Sequence, residues 1–320
     1  MKTILGTMTF SGQVGQETAG QMVNAFRHAG HTELDTAFVY NKGETETLLG
    51  KLNGESQLDA LLLASKANPA VNGGLSPESI ERQLSTSLKR LGLNSVDLFY
   101  LHSPDLGMPI RNSLQAVANL HQRGLFQRFG LSNYAAWQVA EIVEICRSEG
   151  WIVPSVYQGM YNALTRDVER ELFPCLANYG MAFYVYNPLA GGLLSGKHQS
   201  VQALPDSGRF ASFDGYQARY WKSEYFEAIN TLASVCREHG IEPAAAALRW
   251  LVHHSALTAG PDTDSSESAE HGIIIGASSL DHFNQNLQAT TETPLPNTLV
   301  EAFDSAWEHV RPACIKYFRP

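Results

Sequence analysis

Four side chains of this sequence, Asp35, Tyr40, Lys66 and His102, are the types needed to protonate an oxygen that is gaining negative charge. A tyrosine is a weak acid, with a pKa of about 10 when free. A close ammonium favours the phenolate and lowers that pKa, so Lys66 beside Tyr40 is expected to ready the phenol for proton transfer. An aspartate partner would hold the lysine charged and oriented. A histidine beside the phenol would donate a hydrogen bond to a carbonyl oxygen. The set suits the step in which hydride attacks a carbonyl carbon and the oxygen takes up a proton. A rival chemistry uses Lys66 as a Schiff-base nucleophile, as in barrel aldolases. It leaves Tyr40 and His102 without a joint role.

These residues are distant in sequence, so the fold must gather them. Short apolar runs at 4–8, 33–38, 61–66, 96–101, 126–131, 153–158, 182–187 and 272–276 read as strands. Between them, 16–29 and 77–91 repeat apolar residues at the spacing of a helix face, and 114–122, 137–148 and 168–178 follow the same rhythm. Ser76 before Pro77 is the cap-then-proline order that starts a helix. Parallel strands need crossover connections, so strands separated by helices predict a parallel sheet. Eight strands close a (β/α)8 TIM barrel. No linker or internal repeat divides the chain, and 1–320 is expected to be one barrel domain.

The polar residues then fall at one end of the strands. Asp35 lies in the second strand and Tyr40 just past it. Lys66 ends the third, His102 follows the fourth, and Ser132 with Asn133 follow the fifth. Gln158 ends the sixth, Asn187 the seventh, and Ser278 with Ser279 follow the eighth. The C-terminal strand ends are the face where such barrels build active sites. Any one of these residues alone reads as a satisfied surface group. The repetition over successive strands carries the argument.

Other features narrow the field. Gly191 to Lys197, GGLLSGK, fits the start of a P-loop, but His198 stands where Ser or Thr would bind magnesium. The stretch still suits a pyrophosphate cradle of backbone N–H groups and one charge. A G-x-G-x-x-G turn opening a βαβ unit is absent, which argues against a Rossmann site. The net charge is −9, without a Lys/Arg cluster, so no nucleic-acid partner is expected. Cys146, Cys175, Cys236 and Cys314 have no C-x-x-C pair and no close His, so they read as reduced thiols, with no metal site. No apolar run of membrane-spanning length and no signal peptide are seen, and a cytoplasmic enzyme is expected. Segment 204–221 is rich in aromatics and arginine and reads as a lid or binding loop. Segment 257–271 carries PDTDSSESAE and reads as a solvated acidic loop.

The sequence resembles the aldo-keto reductase superfamily, and within it the aflatoxin-dialdehyde and succinic-semialdehyde reductase branch. The likeness runs through LGTMTF, GHTELDTAFVYNKGETETLLG, SLKRLGLNSVDLFYLHSPD, GLSNYAAWQVAEI, VYQGMYNALTRDVERELFPCL, YNPLAGGLLSGK, GASSLDHFNQNL and YFR. It implies NADPH-dependent reduction of aldehydes and some ketones, with Asp35, Tyr40, Lys66 and His102 as the catalytic tetrad. It implies that Ser132, Asn133 and Gln158 hold the nicotinamide carboxamide and that Tyr186 stacks on the ring. Asn187, Leu189, Gly191 and Lys197 would line the pyrophosphate, with Arg209 near the cofactor. Ser278, Gln285 and Asn286 would hold the adenosine end. Tyr216 and Arg219 of YQAR, and Arg319 of YFR, match substrate-contacting positions.

Three positions depart from the family pattern. His282 stands near the adenosine 2′-phosphate where relatives place Gln or Arg. Pro320 follows Arg319, where similar proteins end at the arginine. The acidic loop 261–271 is longer than in relatives. Relatives are commonly dimers, so a homodimer is possible by analogy. Potassium-channel β subunits share the barrel and the cofactor, which makes a regulatory subunit the alternative function; YQAR and YFR favour a substrate pocket instead.

Overall fold

Among the described residues, eight parallel strands close into a barrel in sequence order, the eighth pairing with the first. They are β1 (Lys2–Gly6), β2 (Glu33–Asp35), β3 (Leu62–Ala67), β4 (Val96–Leu101), β5 (Phe126–Ser132), β6 (Val156–Met160), β7 (Ala182–Tyr186) and β8 (Gly272–Ile275). The computed structural model describes residues 1–206, 208–212, 214–258 and 269–319. Most of the acidic loop expected at 261–271, and Pro320, lie outside the described residues.

The helices are α1 (Gln16–His28), α2 (Glu44–Gly54), α3 (Pro77–Leu91), α4 (Ile110–Gln122), α5 (Ala136–Glu149) and α6 (Leu172–Asn178). Then come α7 (Arg209–Ser212), α8 (Asp214–Tyr220), α9 (Ser223–Glu238), α10 (Pro243–His253), α11 (Leu280–Ala289) and α12 (Asn297–Val310). α3 starts as its sequence dictates: the Ser76 hydroxyl accepts from the Ser79 N–H, and Pro77 follows it. Gly92 ends it in the left-handed conformation. Among the described residues, no helix is long and apolar enough to cross a membrane.

Two apolar layers hold the barrel. The larger lies between strands and helices. The smaller fills the barrel itself with Ile4, Ala64, Leu98, Tyr100, Val156, Ala182, Tyr184 and Ile274. Large rings fit there because glycines face them: a Cβ on Gly130 would lie 2.4 Å from the Tyr100 ring. Gly130→Ala should therefore lose about 1–3 kcal/mol of stability through overpacking, read as a lower urea midpoint with an unchanged slope.

Several expected boundaries move, for physical reasons. β6 starts at Val156 because Pro154 has no N–H to give the ladder. The helix expected over 168–178 is broken into a short 3-10 turn, Asp167–Glu169, and α6. Pro174 is tolerated only in the first turn of a helix, which fixes the start of α6 near Leu172. The 204–221 segment forms α7 and α8, tied down by Phe210 and Trp221, whose rings lie 4.8 Å apart.

Candidate active site

Strand register places the candidate residues. Asp35 at the end of β2 pairs with Gly6 and Ala64, and Lys66 projects two residues further along β3. Side chains alternate across a strand, so Ala64 and Lys66 face the same way, into the barrel. Lys66 is 0% exposed and Asp35 5% exposed. The Lys66 Nζ donates to Asp35 Oδ2 at 2.7 Å and to the Thr36 carbonyl at 2.6 Å. Gln158 Nε2 donates to the other Asp35 oxygen at 2.7 Å. The carboxylate is thus paired on both sides, as a buried charge requires.

Past β2 the chain turns sharply. Tyr40 opens a turn in which Asn41 and Lys42 are left-handed, with φ of 46° and 57°. Asn41 meets that demand by donating to the Met8 and Phe10 carbonyls at 3.0 and 2.7 Å. The turn brings the Tyr40 ring centroid 5.2 Å from Lys66 Nζ and 6.1 Å from the His102 ring, edge to face.

The electrostatics correct one expectation. The Tyr40 phenol is pushed well above its ordinary pKa, first by burial and then by the Asp35 carboxylate. The net direction is thus upward, against the lowering that the nearby Lys66 ammonium suggested; that ammonium is bound to Asp35 and the Thr36 carbonyl. Burial also lowers the Lys66 pKa, against the pull of Asp35. His102 is held well below its usual value by burial, then by the charges of Lys66 and Arg319. The resting site therefore holds a protonated phenol and a neutral imidazole.

A cavity of about 1170 Å3 opens above these groups. Every residue expected to serve catalysis, cofactor or substrate lines it except Lys66, which lies beneath its floor; Ser279, also picked out at the strand ends, caps α11 instead. Asn133 sits at φ 64° and ties several walls together. Its Nδ2 donates to the His102 carbonyl at 2.8 Å and to the Ser132 hydroxyl at 2.9 Å. Its Oδ1 accepts from the Tyr186 hydroxyl at 2.6 Å. Asn187 Oδ1 accepts from the Tyr216 hydroxyl at 3.1 Å, and Arg209 and Arg219 approach the Tyr216 ring at 5.7 and 5.5 Å. Arg319 is exposed at the mouth, its backbone N–H bonded to the Asn133 carbonyl at 3.0 Å. Tyr317 anchors this C-terminal tail by donating to Glu171 and accepting from the Ala136 N–H.

The far end of the cavity suits phosphate groups. Leu189 leads into a turn where Gly191 and Gly192 are left-handed, with φ of 73° and 107°. A Cβ on Gly191 would lie 2.7 Å from the Tyr216 ring. Lys197 follows, its Nζ 3.3 Å from His282 Nε2. Ser278, Gln285 and Asn286 lie at or along α11, whose first turn is capped by the Ser279 hydroxyl. Backbone N–H groups, a helix start and cations are the donors that bind anions. The volume, the glycine turn and this donor set together fit a dinucleotide with room beside it for a small carbonyl compound.

Sequence reasoning missed Asn68, which also lines the cavity and meets His102. It follows Lys66 by two residues, so the strand-end rule that selects His102 covers it too. No chemistry of its own drew attention to it.

The fold and site are those of a barrel oxidoreductase. The chain belongs to the aldo/keto reductase family, whose model matches residues 2–308. It is 46% identical to human "Aflatoxin B1 aldehyde reductase member 2", across 99% of this chain and 89% of that protein. It is 45% identical to human "Aldo-keto reductase family 7 member A3", across 99% and 97%. "Aldo-keto reductase pigE" of Monascus ruber is 33% identical across 93% and 89%.

Proposed function

We propose that the chain, as one barrel domain over 1–320, reduces aldehydes to alcohols with NADPH. The observation that carries this reading is the buried Lys66–Asp35 pair beneath a protonated Tyr40 and a neutral His102, all at one end of a cavity of dinucleotide size. When bound, the cofactor supplies a hydride. Tyr40 holds the proton that the carbonyl oxygen takes up. His102 donates a hydrogen bond to the same oxygen and orients it. Asp35 and Lys66 fix the floor under Tyr40. Ser132, Asn133 and Gln158 offer amide and hydroxyl groups to the carboxamide, with Tyr186 against the ring. Asn187, Leu189, Gly191, Lys197 and Arg209 line the phosphate path, and Ser278, His282, Gln285 and Asn286 line the adenosine end. The four thiols are free, which suits a reducing, cytoplasmic setting.

The substrate end carries positive charge within an acidic protein. Arg219 and Arg319 are both near enough to Tyr186 to draw its phenol back down against burial. Two arginines beside one ring favour an aldehyde with a carboxylate tail. The tail lies away from the reacting carbon, so its binding should appear in KM. Arg219→Ala is expected to raise KM for a carboxylated aldehyde about tenfold. Arg319→Ala should cost less, because its side chain is exposed. NADPH oxidation with one carboxylated and one neutral aldehyde of equal length, in wild type and both variants, checks this. Equal loss of both substrates would remove the arginines from tail recognition, and no oxidation with any aldehyde would remove the reading.

A further inference from the structure

His102 has two ring nitrogens, and its task depends on which one carries the proton. A neutral imidazole has one N–H donor and one bare acceptor nitrogen. Only the donor can bond a carbonyl oxygen. Asn68, at the start of the loop after β3, faces the ring. Its Nδ2 lies 3.2 Å from His102 Nδ1. An amide nitrogen is a donor only.

The orientation of that amide is fixed locally. Asn68 Oδ1 accepts the Ala70 N–H at 2.8 Å. Turning the amide over would set its NH2 against that N–H and its oxygen against the ring. The Asn68 backbone is clamped in turn by Gln83, a fully buried residue of α3. Gln83 Oε1 accepts the Asn68 N–H at 2.8 Å, and Gln83 Nε2 donates to the Asn68 carbonyl at 3.2 Å. His102 is likewise held at its own backbone, its N–H on the Ala67 carbonyl at 2.9 Å and its carbonyl under Asn133 Nδ2 at 2.8 Å. Ring and amide thus meet as parts of a braced loop pair.

We propose that Asn68 is a positioning residue that fixes the tautomer of His102, keeping Nδ1 bare so that Nε2 carries the proton offered to the substrate oxygen. This deepens the reductase reading and rests on it for the identity of that oxygen. The same contact works against the imidazolium, whose Nδ1–H would meet the Asn68 NH2 donor to donor. The cations near the ring act in the same sense. Lys66 on β3 and Arg319 on the C-terminal tail are cationic, and Tyr40 past β2 is protonated. Asp35 lies beyond Lys66 and is bound to it.

Asn68→Asp inverts the contact with little change in shape. Its carboxylate would accept from Nδ1–H, while a carboxylate oxygen still serves the Ala70 N–H. Neutral His102 should then move its proton to Nδ1 and lose the donor at Nε2. We expect kcat at neutral pH to fall at least about tenfold, as wrong-tautomer histidines do. Acidification should restore part of it, because the imidazolium carries both protons. Wild type should show no such rise, since its Nε2–H is present with or without protonation. Asn68→Ala, which permits either tautomer, should show a smaller loss without the pH rise. A residue that merely supported the loop would lower activity at every pH alike.

Tautomers are read without turnover from long-range proton–nitrogen correlations in histidine-labelled protein, with the His102 signal assigned by its loss in His102→Gln. The expected result is an Nε2–H tautomer in wild type and, in Asn68→Asp, an Nδ1–H tautomer at neutral pH that passes to imidazolium on acidification. An Nδ1–H tautomer in wild type, or an Asn68→Asp spectrum and pH profile like wild type, would overturn the proposal. A tautomer switch in a protein that turns over no aldehyde would support the positioning role and count against the reductase reading alone.

Discussion

Tyr40→Phe should lower kcat about a hundredfold or more and leave cofactor affinity nearly unchanged. The substitution keeps the ring, which packs edge to face with His102 and lies over Lys66, and removes only the proton. Stability should therefore hold, and the loss should appear in the chemical step. The raised phenol pKa adds a pH signature. As the proposed proton donor, Tyr40 would act in its protonated form, so kcat/KM should stay level as pH rises and decline only beyond the ordinary phenol range. Stopped-flow NADPH oxidation with an aldehyde in excess measures both effects. Turnover near that of wild type would take Tyr40 out of proton transfer.

Lys66→Met should be the most damaging single change, because it strikes stability and activity together. It keeps most of the volume but leaves the Asp35 carboxylate buried with, among the described residues, only Gln158 as a side-chain partner. Breaking a buried pair by removing one member costs about 3–5 kcal/mol. Activity should also fall below detection, since the floor under Tyr40 is built on that ammonium. Lys66→Met with Asp35→Asn separates the two effects. The neutral pair should regain most of the stability, seen in urea unfolding, and none of the activity. A single variant as stable as wild type would mean that Asp35 is not held as a charge.

The barrel was legible because its signals are local and repeated. Apolar runs marked all eight strands, but only β4 kept both its expected ends: β1 starts and stops two residues early, β2 stops at Asp35, and β6 starts late, after Pro154. The site was legible for a related reason. Polar residues placed at successive strand ends, Lys66, His102, Gln158 and Asn187 among them, can be selected from spacing alone. Tyr40 was harder to place, since it sits beyond β2 in a turn whose left-handed Asn41 and Lys42 carry no glycine signal. The electrostatics were not legible. A lysine near a tyrosine suggested a lowered phenol pKa, but the outcome depends on burial and on which group the ammonium touches. The contact between Asn68 and His102 spans a separation of 34 residues and joins two loops. Nothing in either segment announces it.

Hydride transfer from NADPH to an aldehyde carbon is the central claim, and isotope tracing tests it most directly. The enzyme would be given NADPH deuterated at the nicotinamide C4 position and a carboxylated aldehyde, and the alcohol examined by mass spectrometry. The account predicts deuterium on the carbinol carbon, formed about a hundredfold or more slowly by Tyr40→Phe. An alcohol without deuterium from either C4 face, or NADPH bound tightly with no alcohol formed, would contradict it.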